Sequence, residues 1–448
     1  TSHLIIGWLD SIRPKKANSK MDQRIYNEHR NALPSPDDIT RVRLDNGITV
    51  LSRSNFNSPS LSIKGYLSSG SIFDPDEKLG LGYLTAAALM TGTANHDFQS
   101  MYSQIESVGA RLGFSPGTLK TSFSAHSLSE DLHLMLELIS ESLRSPSFPQ
   151  KEFLRLKNQM LTGLAIRAQD TAEMASLLFD QIIYAAHPYQ RPDEGYPETV
   201  QSIQRDDLVN FYQETYGPED MVIAIVGAVE PAQAVDAIRE VLGDWKNDDL
   251  RPLPEIPEQQ ALQKTTKKAL SIPGKFQADI VMGSLAPERL SPDYHALRIG
   301  NNILGEFGMM GRLGERVREK EGLAYYVYSS LSLGTGPGAW EMIAGVNPEN
   351  IDKTIALITD EVRRFVNEPV TEEELSDNKS YFLGRMPLLL ESNSGVAISL
   401  LNLERFNLGL DYFLEYPKHV QAVTADQILE ASRKYLDPDR LAIAVAGP

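Results

Sequence analysis

Arg318 and Tyr325, seven positions apart, are two hydrogen-bond donors whose types could act on carbonyl oxygens. Gly322 between them is a helix stop. Arg318 would then close a helix, Tyr325 would open an extended run, and the two side chains could converge on one point. A guanidinium donates to peptide carbonyls, and a phenol can donate to the oxyanion of a tetrahedral intermediate. Spacing alone fits a plainer arrangement better: a surface arginine closing its helix and a tyrosine in the core of a strand. Just upstream, Gly305-Glu-Phe-Gly308-Met-Met-Gly311 is glycine-rich but is no phosphate loop. It lacks G-x-x-x-x-G-K-[ST], and Glu306 would repel phosphate. It reads either as a flexible connection between helices or as a mobile lip with an adaptable apolar surface from Met309 and Met310.

Metal chemistry is poorly provided for. The eight histidines are His3, His29, His96, His126, His133, His187, His295 and His419, and no two stand four apart. His126 and His133 flank what reads as a helix start, so they do not share a face. The chain has no cysteine, which excludes disulfides, thiolate zinc sites and cysteine nucleophiles, and leaves the redox compartment open. No intrinsic zinc site is expected.

The elements that must position Arg318 and Tyr325 come in two copies. Shifted by 220, residues 196–227 lie over 416–447 with nine identities in 32 positions. These include Tyr196-Pro197 on Tyr416-Pro417 and Ile223-Ala224 on Ile443-Ala444. The offset is nearly half of the 448 residues, so a duplicated domain is expected. Each copy ends in an amphipathic helix, a proline turn and a buried apolar strand.

Strands are expected at 47–52 and 61–66, and helices at 79–91, 97–108 and 129–144. A long helix followed by another is expected over 150–186. The second half reads as a strand near 277–285, helices at 292–304 and 312–321, strands at 324–333 and 338–346, and helices at 349–367, 372–390 and 396–408. Thr371-Glu-Glu-Glu374 is a capping box. The fold class is α+β, with two homologous domains, each a mainly antiparallel sheet packed with helices. The expected division is an arm over 1–36, a first domain over 37–245, a polar, proline-rich linker over 246–265 and a second domain over 266–448.

The bulk composition is that of a soluble globular protein. The net charge of −17 argues against nucleic acid or an anionic membrane as the main partner. No apolar run approaches the ~20 residues of a membrane span. Leu4–Leu9 is short and is followed by Arg13, Lys15 and Lys16, which does not make a signal peptide as it stands. Cytoplasm and periplasm both remain open.

Residues 80–93, Gly-Leu-Gly-Tyr-Leu-Thr-Ala-Ala-Ala-Leu-Met-Thr-Gly-Thr, resemble the metal-site helix of pitrilysin/insulinase-type zinc peptidases, roughly G-L-A-H-F-L-E-H-M-x-F-x-G-T. The frame Gly80, Leu81, Leu89, Gly92 and Thr93 is kept. The two zinc histidines fall on Tyr83 and Ala87, and the general-base glutamate on Ala86. The further glutamate ligand, about 77 residues beyond the second histidine, falls on Leu164. In the second half, residues 311–329 resemble the family's S-R-L-x-x-x-x-R-E-K-x-G-L-A-Y-x-V-x-S, with its substrate-directed Arg and Tyr on Arg318 and Tyr325.

The similarity runs from about residue 40 to the end. It points to the branch that includes mitochondrial processing peptidase, respiratory-complex core proteins and bacterial heterodimeric peptidases. In that branch two chains, each of two α/β domains, pair into a clam-shell chamber. One subunit carries zinc, and the other supplies Arg and Tyr. The resemblance implies that this chain holds no cofactor and pairs with a zinc-bearing H-x-x-E-H paralogue. Arg318 and Tyr325 would act in trans on an unfolded peptide bound as an added strand, with Gly305, Gly308, Met309 and Met310 as a lip over it. When isolated the chain could pair with itself. The alternative is an inactive structural or peptide-binding paralogue, as a core protein is. Retention of both Arg318 and Tyr325 favours the first, since a scaffold has no need of them.

Overall fold

The computed structural model describes residues 33–448, so the expected arm lies outside the described residues except for its last four. Two sheets carry the architecture. The first comprises β1 (Thr40–Arg43), β2 (Thr49–Ser54), β3 (Ser60–Leu67), β4 (Arg111–Ser115), β5 (Thr121–Leu128) and β6 (Val222–Gly227), in the order β1-β2-β6-β3-β5-β4. The second comprises β7 (Thr266–Ser271), β8 (Ala278–Ala286), β9 (Ala324–Gly334), β10 (Gly336–Val346) and β11 (Ala442–Gly447), in the order β7-β11-β8-β10-β9. Without β1 the two orders are the same. In both, one pair is parallel, β2 with β6 and β7 with β11, and the other pairings are antiparallel.

The 220-residue shift maps β6 onto β11 and the helix Arg205–Thr215 onto the helix Ala425–Tyr435. It also explains why both strands are apolar throughout. In β6, Ile223 and Ile225 face a core built with the first half's own helices, while Val222, Ala224 and Val226 face Val396, Ala397 and Leu400 of the helix Asn393–Arg405. In β11, Ile443 and Val445 face the second half's helices. Ala442, Ala444 and Ala446 face Ala175, Phe179 and Ile182 of the helix Thr171–Ile183. Each half therefore lends a helix to the other half's sheet. A strand covered on both faces reads as a continuous apolar run rather than an alternating one. The lent helices show their apolar stripe at helical spacing (175, 179, 182, 183 and 396, 397, 400, 403). Each is capped at its start, by Asp170 accepting from Ala172 N–H and Glu173 N–H, and by Ser392 accepting from Gly395 N–H.

Strands β4 and β5 were not expected from the sequence. Thr121, Phe123, Ala125 and Ser127 of β5 are buried and alternate with exposed Ser122, Ser124 and His126, but serine on both faces blurs the pattern. Residues 246–265 carry neither helix nor strand, yet the segment is tied down. Asn247 Nδ2 donates to the carbonyls of Gln213 and Tyr216, and Gln259 Nε2 donates to Ile183 O. His187 Nδ1 accepts from Tyr189 N–H, which leaves Nε2 to donate to Pro257 O at 3.0 Å. Among the described residues no helix is long and apolar enough to cross a membrane.

Candidate functional site

The helix Leu81–Ala88 is launched by Gly80, whose φ of 99° is left-handed. Asp74 caps it from upstream, accepting from Gly80 N–H and Gly82 N–H, each at 2.8 Å. Burial outweighs these bonds and pushes the Asp74 carboxyl up to about 7. Tyr83 and Ala87 project from this helix into a cavity of about 700 Å³, and Leu164 of the helix Gln150–Arg167 lines the same cavity. Three of the four positions assigned to metal chemistry thus come together in space. Ala86 is only 1% exposed and is not in that lining.

What these three positions offer is a phenol and two hydrocarbons, with Gln159 and Thr162 also in the lining. Burial and the nearby Glu194 and Asp193 hold the Tyr83 phenol above its ordinary value, so it is a poor source of the anionic oxygen a metal would want. Arg167 and Glu194, which also line the cavity, are joined to each other at 3.2 Å. No cluster of three or more His, Cys, Asp or Glu suited to a metal occurs among the described residues. A zinc ion does not fit this donor set.

The second-half residues are held differently. Arg312, 9% exposed, is clamped by both oxygens of Glu374 at 2.6 and 2.7 Å. Arg316 donates to Glu361 at 3.0 Å. Between these anchors and the strand, the expected helix widens into π-type turns over Gly314–Lys320, the kind of local distortion that recurs at functional sites. Arg318 sits on this stretch and is exposed. Gly322, with φ 63°, ends it, its N–H bonded to Arg318 O at 3.1 Å.

Tyr325 follows at the start of β9. Ala324 pairs with Val346 and Tyr326 with Gly345, so Tyr325 is the extra residue of a β-bulge. Such a bulge re-aims a side chain, and the Tyr325 ring is 58% exposed. Strand β9 is the last in its sheet, so among the described residues its outer edge has no strand partner.

Arg318, Gly308 and Met309 line one recess of about 500 Å³, together with Arg298, Glu306 and Tyr328. Tyr325, Gly305 and Met310 are not in that lining. Gly305 is buried at the base of the loop, where a Cβ on Gly311 would come within 2.8 Å of its Cα. Met310 is 72% exposed. The glycine-rich loop is therefore pinched at its ends, with Gly308 at its tip in the left-handed region (φ 64°) and facing open space. The segment is folded into short helical turns, Asn302–Glu306 and Gly308–Met310. Sequence reasoning did not single out Arg298 or Tyr328. The strand period could have found Tyr328, which alternates with Val327 and Ser329 on the buried face.

Comparison with known proteins agrees with this anatomy. The family model described as "Insulinase (Peptidase family M16)" matches residues 49–191, and the model "Peptidase M16 inactive domain" matches residues 202–382. An uncharacterized zinc protease of Mycobacterium tuberculosis is 25% identical over 409 residues, covering 91% of this chain and 93% of that protein. The non-peptidase homolog YmxG of Helicobacter pylori is 24% identical over 379 residues, covering 84% and 86%. Among solved structures, a peptidase M16 inactive domain from Pseudomonas fluorescens matches with TM-score 0.86 at 27% identity, over 92% of this chain and 98% of its own. A protease from H. pylori matches with TM-score 0.84 at 20% identity, over 93% and 100%, and bears on the fold alone. With two models of one family matched in tandem and a shared fold over nearly the whole described chain, this protein belongs to the insulinase family of peptidases, M16.

Proposed function

We propose that this chain is the non-metal subunit of a heterodimeric zinc metallopeptidase and binds unfolded peptides in a chamber shared with a zinc-bearing paralogue. The observation that carries the reading is the exposed Arg318 in a recess beside the outer edge of β9, in a family member with no metal-suited cluster among its described residues. An extended peptide could add to that edge through its main chain. Arg318 would donate to its carbonyls, and Met309 would pack against its side chains. Tyr325, turned outward by the bulge, would offer its hydroxyl to the developing oxyanion. The partner's zinc would supply the activated water.

A second reading, a peptide-binding scaffold without a catalytic contribution, is favoured by one observation: Tyr325 does not line the recess that holds Arg318. Hydrolysis of a quenched fluorescent peptide separates the two. It would be measured for this chain, for a paralogue with intact H-x-x-E-H, and for their mixture. Activity restricted to the mixture supports a shared site. A paralogue equally active with and without this chain supports the scaffold. Chelator-sensitive activity from this chain alone would overturn both.

A further inference from the structure

We propose that the second half carries a binding site for a small organic anion, a carboxylate or phosphate head on a flat apolar body, in a cavity that meets the Arg318 recess at Arg298 and is otherwise lined by different residues. The cavity holds about 360 Å³ and lies among the helices Tyr294–Asn301, Glu372–Leu389, Asn393–Arg405 and Tyr412–Ala422. That is within the size range of small-molecule sites, which commonly form between packed helices.

Three guanidiniums line it, Arg289, Arg298 and Arg385. One carboxylate approaches them. Glu306 stands 3.9 Å from Arg298 and 4.0 Å from Arg385, at the limit of an ion pair, and is itself held by Asn301 Nδ2 at 2.9 Å. No carboxylate lies within ion-pair distance of Arg289 among the described residues. Its guanidinium lies 3.4 Å from the Tyr294 ring centroid and donates to the Tyr412 hydroxyl at 3.0 Å. Arg385 donates to the Tyr381 hydroxyl at 3.0 Å.

In a chain of net charge −17, a partly enclosed pocket with three cations against one distant anion is a concentrated positive field. Carboxylate and phosphate are the groups whose planar or tetrahedral oxygens match guanidinium forks. The rest of the wall is aromatic and aliphatic, including Phe382, Phe406 and Tyr416, and suits a ring or short chain behind the anionic head. His295 also lines the cavity, stacked on His419 at 5.3 Å between centroids, and is kept neutral by burial and by the cations around it. It is thus a built-in reporter.

The test is isothermal titration of the full chain with benzoate, phenyl phosphate and uncharged benzyl alcohol, alongside NMR of the His295 ring. The expected result is saturable binding of at least one anion, movement of the His295 signals with it, and no saturation by the alcohol. Benzoate alone would assign a carboxylate ligand, and phenyl phosphate alone a phosphate ester. Arg385→Gln should weaken binding by about tenfold or more. If that variant melts early, Arg289→Gln, which lines this cavity and not the Arg318 recess, is read in its place. Failure of both anions, equal binding of benzyl alcohol, or native affinity in a well-folded Arg385→Gln would overturn the proposal.

Discussion

The Tyr83 cavity of the first half and the Arg318 recess of the second are built in opposite ways. In the first, a packed frame surrounds a cavity with no metal-suited cluster of side chains among the described residues. Tyr83, Ala87 and Leu164 meet around one cavity, because Leu81 and Leu84 of one helix and Phe153 and Met160 of the other belong to the hydrophobic core and hold the two helices in place. In the second, polar side chains stand where packing does not ask for them. Arg318 and Tyr325 are exposed, and exposed side chains add little to stability. A buried frame serves folding, whereas an exposed Arg and Tyr on a distorted turn and a bulge are the groups the proposed peptide site would use.

The largest expected break in that contrast is in turnover. Tyr325→Phe should slow hydrolysis by the mixed complex about 100- to 1000-fold, the range for losing one oxyanion donor, with an unchanged melting temperature. Unchanged turnover would take Tyr325 out of the mechanism and leave the scaffold reading. Next in size, Leu164→Glu should destabilise the chain by roughly 2–3 kcal/mol, since it places a carboxylate at a 4% exposed core position. Adding Tyr83→His and Ala87→His should make thermal stability rise with zinc. A melting temperature indifferent to zinc would mean that the three positions do not hold ligand geometry.

A smaller effect concerns pH. The Asp74 carboxyl is held at about 7 against an ordinary 3.8, so the folded chain binds that proton more tightly than the unfolded chain. The stabilisation from it is full below about pH 4 and is lost as pH rises through 7. Asp74→Asn should flatten the melting temperature against pH across that interval, and parallel profiles for the two proteins would assign the dependence elsewhere. The smallest is Met309→Ala, expected to raise KM of the complex about threefold at constant kcat by removing an apolar contact from the recess. A fall in kcat instead would give the loop a part in the chemical step.

Much of this was legible in the sequence because it rests on local patterns. The 220-residue repeat located β6 and β11, and the Thr371 capping box is formed, with Glu374 N–H donating to Thr371 Oγ1 and Thr371 N–H to Glu374. Three other features were not legible. Amphipathic spacing marks 171–183 and 393–405 as helices but does not say whose sheet they cover. The bulge at Tyr325 depends on the register of β10, which no residue in 324–328 encodes by type. The arginine cavity draws Arg289, Arg298 and Arg385 from separate elements, so no spacing could announce it.

The exchange of helices between the halves bears on how such a chain could arise. A single ancestral repeat would leave one face of its sheet bare, and would reach solubility by trading that helix with a second copy, which is a domain-swapped homodimer. Joining the copies through a segment like 246–265 fixes the trade within one gene. It also predicts how the protein divides. Cut in that segment, the two pieces should be insoluble when made apart and reassemble when made together, each returning the helix the other lacks.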